Sequence, residues 1–103
     1  MALAAERWCE AELLRLRARI ILTSPAEKIA VLGESIALAR RQDAKLWELR
    51  AATDLAEIWH QQGLLQEAEA VLRPVHDWFT EGLDLPDLLA ARSLLGRIEQ
   101  YAA

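Results

Sequence analysis

The chain is poor in the residues that build covalent staples or reactive sites. Among its 103 residues there is one cysteine, Cys9, so no disulfide closes within the chain and no cysteine-based zinc site assembles from it. A lone cysteine fits a reducing cytoplasm. The four glycines, Gly33, Gly63, Gly82 and Gly96, are isolated, which excludes a glycine-rich phosphate loop. Basic charge is also short: 12 Lys and Arg stand against 16 Asp and Glu, a net charge of −4, opposite to the footprint of a nucleic-acid binder. The longest aliphatic burst, Ile20-Ile21-Leu22, stops at Thr23-Ser24-Pro25, far short of the roughly 20 apolar residues that span a bilayer. The start, Met1 to Arg7, is charged before any apolar run develops and does not read as a secretion signal.

What is abundant is apolar residues at helical spacing, 53% of the chain being hydrophobic. Leu13, Leu16 and Ile20 form one row and Leu14, Ala18 and Ile21 the next, predicting a helix over 4–22. Ser24-Pro25-Ala26-Glu27 reads as a capping box with proline in the first turn, opening a second helix over 25–42. A third over 45–62 carries Leu49, Ala52, Ala56 and Trp59, and Gly63 supplies the left-handed residue that closes it. The fourth, 65–79, aligns Ala68, Leu72, Val75 and Phe79 and contains Pro74, which should kink it. The last, 85–101, carries Leu88, Ala91, Leu95 and Ile98, with Asp84 as its expected cap. No stretch alternates apolar and polar residues as a strand would. The expected class is all-α: five antiparallel helices in one domain, as hairpins 4–42 and 45–79 and a terminal helix.

No constellation of catalytic type stands out. His60 and His76 are sixteen residues apart without a companion cysteine, and Cys9 has no histidine within a turn. The acid pairs Glu10 with Glu12 and Glu67 with Glu69 sit two apart, on different helix faces, and read as solvated charges. Trp59 and Trp78 sit in apolar rows and read as core, whereas Trp8 and Trp47 stand nearer helix ends. These residues predict no enzyme, no cofactor and no metal.

Internal similarity decides between a closed bundle and an open array. Leu55-Ala56, Trp59, Gly63, Ala68 and Leu72 follow the order large, small, aromatic, Gly, small, large, and so resemble a tetratricopeptide repeat (TPR). The first hairpin is a degenerate copy, with Ala18 as its small crossing residue and Leu32 forty residues before Leu72. A closer resemblance is carried by Glu10-Ala11-Glu12-Leu13, Leu38-Ala39-Arg40-Arg41-Gln42, Trp47-Glu48-Leu49-Arg50-Ala51-Ala52 and Trp78-Phe79-Thr80-Glu81-Gly82. These strings are similar to the C-terminal TPR-like region of large bacterial signalling proteins. In those proteins an adenylate or guanylate cyclase domain, or a transcriptional activation domain, precedes a predicted ATPase. Neither of those domains is present in this sequence.

The resemblance implies a short right-handed helical-repeat array and a protein-binding role in a bacterial regulatory protein. In such arrays the first helix of each hairpin lines a groove. The matching positions are Arg15, Arg19, Arg50, Thr53, Glu57, His60 and Gln61, and the three arginines would suit a carboxylate-bearing peptide. The chain has no asparagine, which removes the asparagine-based carboxylate clamp of chaperone-binding repeats. An array opening at helix one leaves an apolar side uncovered, so a homodimer through Leu14 and Ile21 is expected. The competing expectation is a small-molecule-sensing pocket near Trp59 and Trp78.

Overall fold

Each helix begins and ends at a residue with a local reason to be there. The computed structural model describes the backbone of residues 3–102 and the side chains of residues 10–100. It contains five helices: α1 (Leu3–Ile20), α2 (Pro25–Arg41), α3 (Lys45–Gln61), α4 (Leu65–Trp78) and α5 (Pro86–Ala102). No strand occurs among the described residues. Pro25 occupies the first turn of α2, where a missing N–H is harmless. Ser24 is its N-cap, with extended backbone (φ −77°, ψ 126°), and its carbonyl accepts from the Lys28 N–H at 3.0 Å. The Ser24 side chain makes no capping bond, so the expected capping box is not formed; proline and the backbone suffice. Leu85, not Asp84, takes the capping position of α5, its carbonyl accepting from the Leu89 N–H at 2.9 Å. Helix α4 runs through Pro74 and ends at Trp78.

The corners after α2 and α3 share one hydrogen-bond pattern. After α2, Asp43 N–H donates to Arg40 carbonyl (3.2 Å) and Ala44 N–H to Ala39 carbonyl (2.9 Å). After α3, Gly63 N–H donates to His60 carbonyl (3.1 Å) and Leu64 N–H to Trp59 carbonyl (2.8 Å). Both are Schellman closures, which need a left-handed residue at the position just after the C-cap, here Asp43 after Gln42 and Gly63 after Gln62. Gly63 (φ 79°) takes that conformation freely; Asp43 (φ 53°) takes it as the one non-glycine with positive φ among the described residues.

The main core is drawn from all five helices: Ala18 from α1, Leu32 and Ile36 from α2, Leu49, Ala52, Leu55 and Ala56 from α3, Ala68 and Leu72 from α4, and Leu88, Ala91, Leu95 and Ile98 from α5. The alanines at 18, 52, 56 and 68 let helix backbones approach closely, and leucines fill the space between them. Helix α3 packs against all four others, whereas α1 and α5 do not touch among the described residues. The molecule measures 49 × 35 × 19 Å, its thinnest dimension being two helix diameters. No helix is long and apolar enough to cross a membrane among the described residues.

Candidate functional site

The face shared by α1, α3 and α5 gathers most of the residues named for the groove. Arg15 donates to Glu12 one turn earlier and, through Nη1, to Asp54 Oδ2 on α3 at 3.0 Å. Arg50 donates through Nη1 to Glu12 Oε2 on α1 at 2.8 Å and through Nε to Asp87 Oδ2 on α5 at 3.1 Å. Its guanidinium also lies 4.6 Å from the Trp47 ring centroid. The result is a continuous chain, Asp54, Arg15, Glu12, Arg50, Asp87, that ties three helices along one face. Glu12 is therefore not a solvated acid, as its spacing suggests, but a half-buried hub between two arginines.

Two carboxyls on Arg15 shift in opposite senses. Burial works to raise Glu12, but the bonds and charges of Arg15 and Arg50 outweigh it and hold the carboxyl below its ordinary value. Asp54 is more deeply buried and meets one guanidinium directly, so desolvation wins and its carboxyl lies above its ordinary value. Arg50 loses something to burial and gains more from Glu12 and Asp87, so its pKa is raised.

The other groove positions divide. Thr53 turns its hydroxyl back to donate to the Leu49 carbonyl at 2.8 Å. Glu57 accepts two bonds from Arg97 on α5, at 3.0 and 3.4 Å. Arg19, Glu57 and Gln61 line an open cleft of about 280 Å³ between α1, α2 and α3, with Ala18, Lys28, Leu32, Asp54 and Ile58. Neither Arg19 nor Lys28 hydrogen-bonds a carboxylate among the described residues. His60 lies at a separate hollow of about 520 Å³ with Gln61, Gly63 and Leu65.

Trp59 is half-buried against the main core, as expected. Trp78 is not core: it is 58% exposed, sits edge-on to Phe79 at 5.1 Å, and has Lys45 Nζ 5.6 Å from its centroid. Lys45 opens α3 and Trp59 lies fourteen residues on, about 21 Å along the helix. The two rings thus belong to opposite ends of α3. The side chains of Trp8 and Cys9 lie outside the described residues. No group of three or more His, Cys, Asp or Glu side chains able to hold a metal ion occurs among the described residues.

The outer side of α1 also differs from expectation. Ala11 and Ala18 are buried and Leu14 is half-buried on the inward side, whereas Leu13, Ile20 and Ile21 are exposed by 62%, 76% and 69%. The uncovered row is Leu13 and Ile20, with Ile21 beside it, and Leu14 does not belong to it. Sequence reasoning missed Glu12, Asp54, Asp87 and Lys28. The Glu12/Arg15 spacing of three was the one local signal for any of them. Compared with protein-family models, with curated proteins and with solved structures, the chain matches none.

Proposed function

We propose that the chain is a TPR-like array of antiparallel helices that serves as a non-catalytic protein–protein interaction or oligomerisation module in a bacterial signalling or regulatory protein. The array reading is supported by recurrence. Ion pairs join α1 to α3 at sequence separations of 38 and 39, and α3 to α5 at 37 and 40. Alternate helices are therefore offset by a nearly constant step, as stacked repeats require.

The observation that carries the binding reading is the cleft between α1, α2 and α3. Arg15 and Arg50 are neutralised by the protein's own carboxylates, and Glu57 by Arg97. Asp54, which also lines the cleft, is held by Arg15, so Arg19 and Lys28 are left without a hydrogen-bonded carboxylate among the described residues beside an apolar floor of Leu32 and Ile58, the combination that takes a carboxylate next to an apolar side chain. The ligand is an acidic peptide segment held in the cytoplasm. The test is an array of immobilised acidic peptides, run beside a thermal-shift screen of metabolites. Capture of peptides by the wild type, lost in an Arg19→Glu/Lys28→Glu protein, is the expected result. A metabolite that raises the melting temperature only when Trp59 is intact would replace this reading with a small-molecule sensor.

A further inference from the structure

The cleft that offers Arg19 and Lys28 to a ligand also contains two acids of its own, and the protein holds them differently. Glu57 accepts from Arg97 of α5 through both oxygens, at 3.0 and 3.4 Å. Asp54 is held through one: Oδ2 accepts from Arg15 at 3.0 Å, and Oδ1 accepts no hydrogen bond among the described residues. The Asp54 side chain is also the less exposed, 21% against 36% for Glu57. It therefore loses more to burial and is repaid by fewer partners. The charges around Asp54 come from three helices. Helix α1 brings Arg15 and Arg19 as cations and Glu12 as an acid, and α2 brings Lys28 to the same cleft. On α3 itself, Arg50 and Glu57 stand one turn to either side. Arg50 is engaged by Glu12 and Asp87, and Arg97 of α5 by Glu57.

We infer that the cleft takes up a ligand carboxylate together with one proton, received by Asp54, so that capture strengthens as pH falls. This rests on the reading of the cleft as a carboxylate site and adds its regulation. A sphere of the cleft's 280 Å³ is about 8 Å across, so an incoming carboxylate shares a small space with Asp54. Two carboxylates that close repel, and the one already disfavoured by burial is the one that protonates. Burial already holds Asp54 above its ordinary value, so it accepts a proton while an aspartate on the ligand, facing Arg19 and Lys28, stays ionised. The proton passes from solvent to Oδ1, the oxygen without a donor, and the Arg15 bond to Oδ2 is kept. Protonation removes one negative charge from the cleft and leaves Arg19 and Lys28 to the ligand. Both oxygens of Glu57 are already occupied by Arg97, which leaves Oδ1 of Asp54 as the open position.

Calorimetry on the whole chain tests this, with an acidic peptide captured by the array, capped at both ends and carrying aspartate as its one titratable residue type. Binding enthalpies in two buffers of different ionisation heat count the protons taken up. The wild type should take up protons, at most one per peptide, and its affinity should rise by up to about tenfold per pH unit below neutrality. Asp54→Asn keeps the size of the side chain and an acceptor for Arg15 but removes the proton acceptor. It should bind about tenfold tighter at neutral pH, take up fewer protons and show a flatter pH profile, with circular dichroism confirming the fold at each pH. Glu57→Gln should keep the wild-type proton count. Protons bound by His60 or other groups are common to these proteins and drop out of the comparison. Equal proton counts in wild type and Asp54→Asn, or no gain in affinity in that variant, would overturn the proposal and leave the cleft reading standing. Binding unchanged by Arg19→Glu/Lys28→Glu would instead overturn the cleft reading, and this proposal with it.

Discussion

The corner from α2 to α3 and the corner from α3 to α4 have the same backbone and different chemistry. Both close a helix with paired bonds to its last turn and restart the next helix at a residue twenty positions on, Lys45 and Leu65. The second corner is built from residues that suit it, Gly63 in the left-handed position and Ala68 fully buried one turn into α4. The first uses Asp43 where glycine is easier, and where α4 has Ala68, α3 has Glu48, 3% exposed. Glu48 survives there because Arg40 of α2 donates to it at 3.0 Å and Lys45 at 3.4 Å. An ion clamp thus straddles the first corner and nothing equivalent straddles the second among the described residues. The lesson is that the packing of successive helices sets the turn, and the sequence meets that demand either with a glycine beside a buried alanine or with a left-handed aspartate beside a buried glutamate paired to two cations.

Exchanging the two solutions tests this. The largest effect is expected from Ala68→Glu, which moves the acid of the first corner to a buried site without cations; about 3–5 kcal/mol should be lost in urea unfolding. Gly63→Ala should lose about 1–2 kcal/mol, because no neighbour stands within 4 Å of the new Cβ and the conformational penalty alone acts. Asp43→Gly should move in the other direction, gaining about 0.5 kcal/mol. Glu48→Ala, which copies the second corner into the first, should change stability by less than about 1 kcal/mol, since Arg40 and Lys45 both reach solvent once released.

The smallest effect concerns the two acids on Arg15. Glu12, with its lowered folded value, adds stability above the ordinary glutamate range and loses it as pH falls through that folded value. Asp54, with its raised value, contributes in the opposite sense: its share is present at low pH and is lost as pH rises through the folded value. The two partly cancel on acidification. Asp54→Asn should therefore steepen the fall in melting temperature as pH is lowered through the carboxylate range, read by circular dichroism.

Helix positions were legible in the sequence almost to the residue because proline, glycine and apolar spacing act locally: Pro25, Gly63 and Pro86 sit where the helices change. The orientation of α1 was not legible. Both of its candidate rows are apolar, and only the positions of α2 and α3 decide that Leu14 turns inward and Leu13 outward. The charged face was hidden for a related reason. Arg50 looks the same in sequence whether it meets solvent or Glu12 and Asp87, residues 38 and 37 positions away. The recurring offset near forty, visible in Leu32 and Leu72, is the signal that could have paired them.

Because α3 touches every other helix and α1 and α5 do not meet among the described residues, the chain has a middle and two margins. Opening α1 breaks contacts with α2 and α3 alone, and opening α5 breaks contacts with α4 and α3 alone. Amide protons should accordingly exchange in a gradient, fastest along the outer helices and slowest near Leu49 to Ala56, with each margin able to melt while the other stays closed.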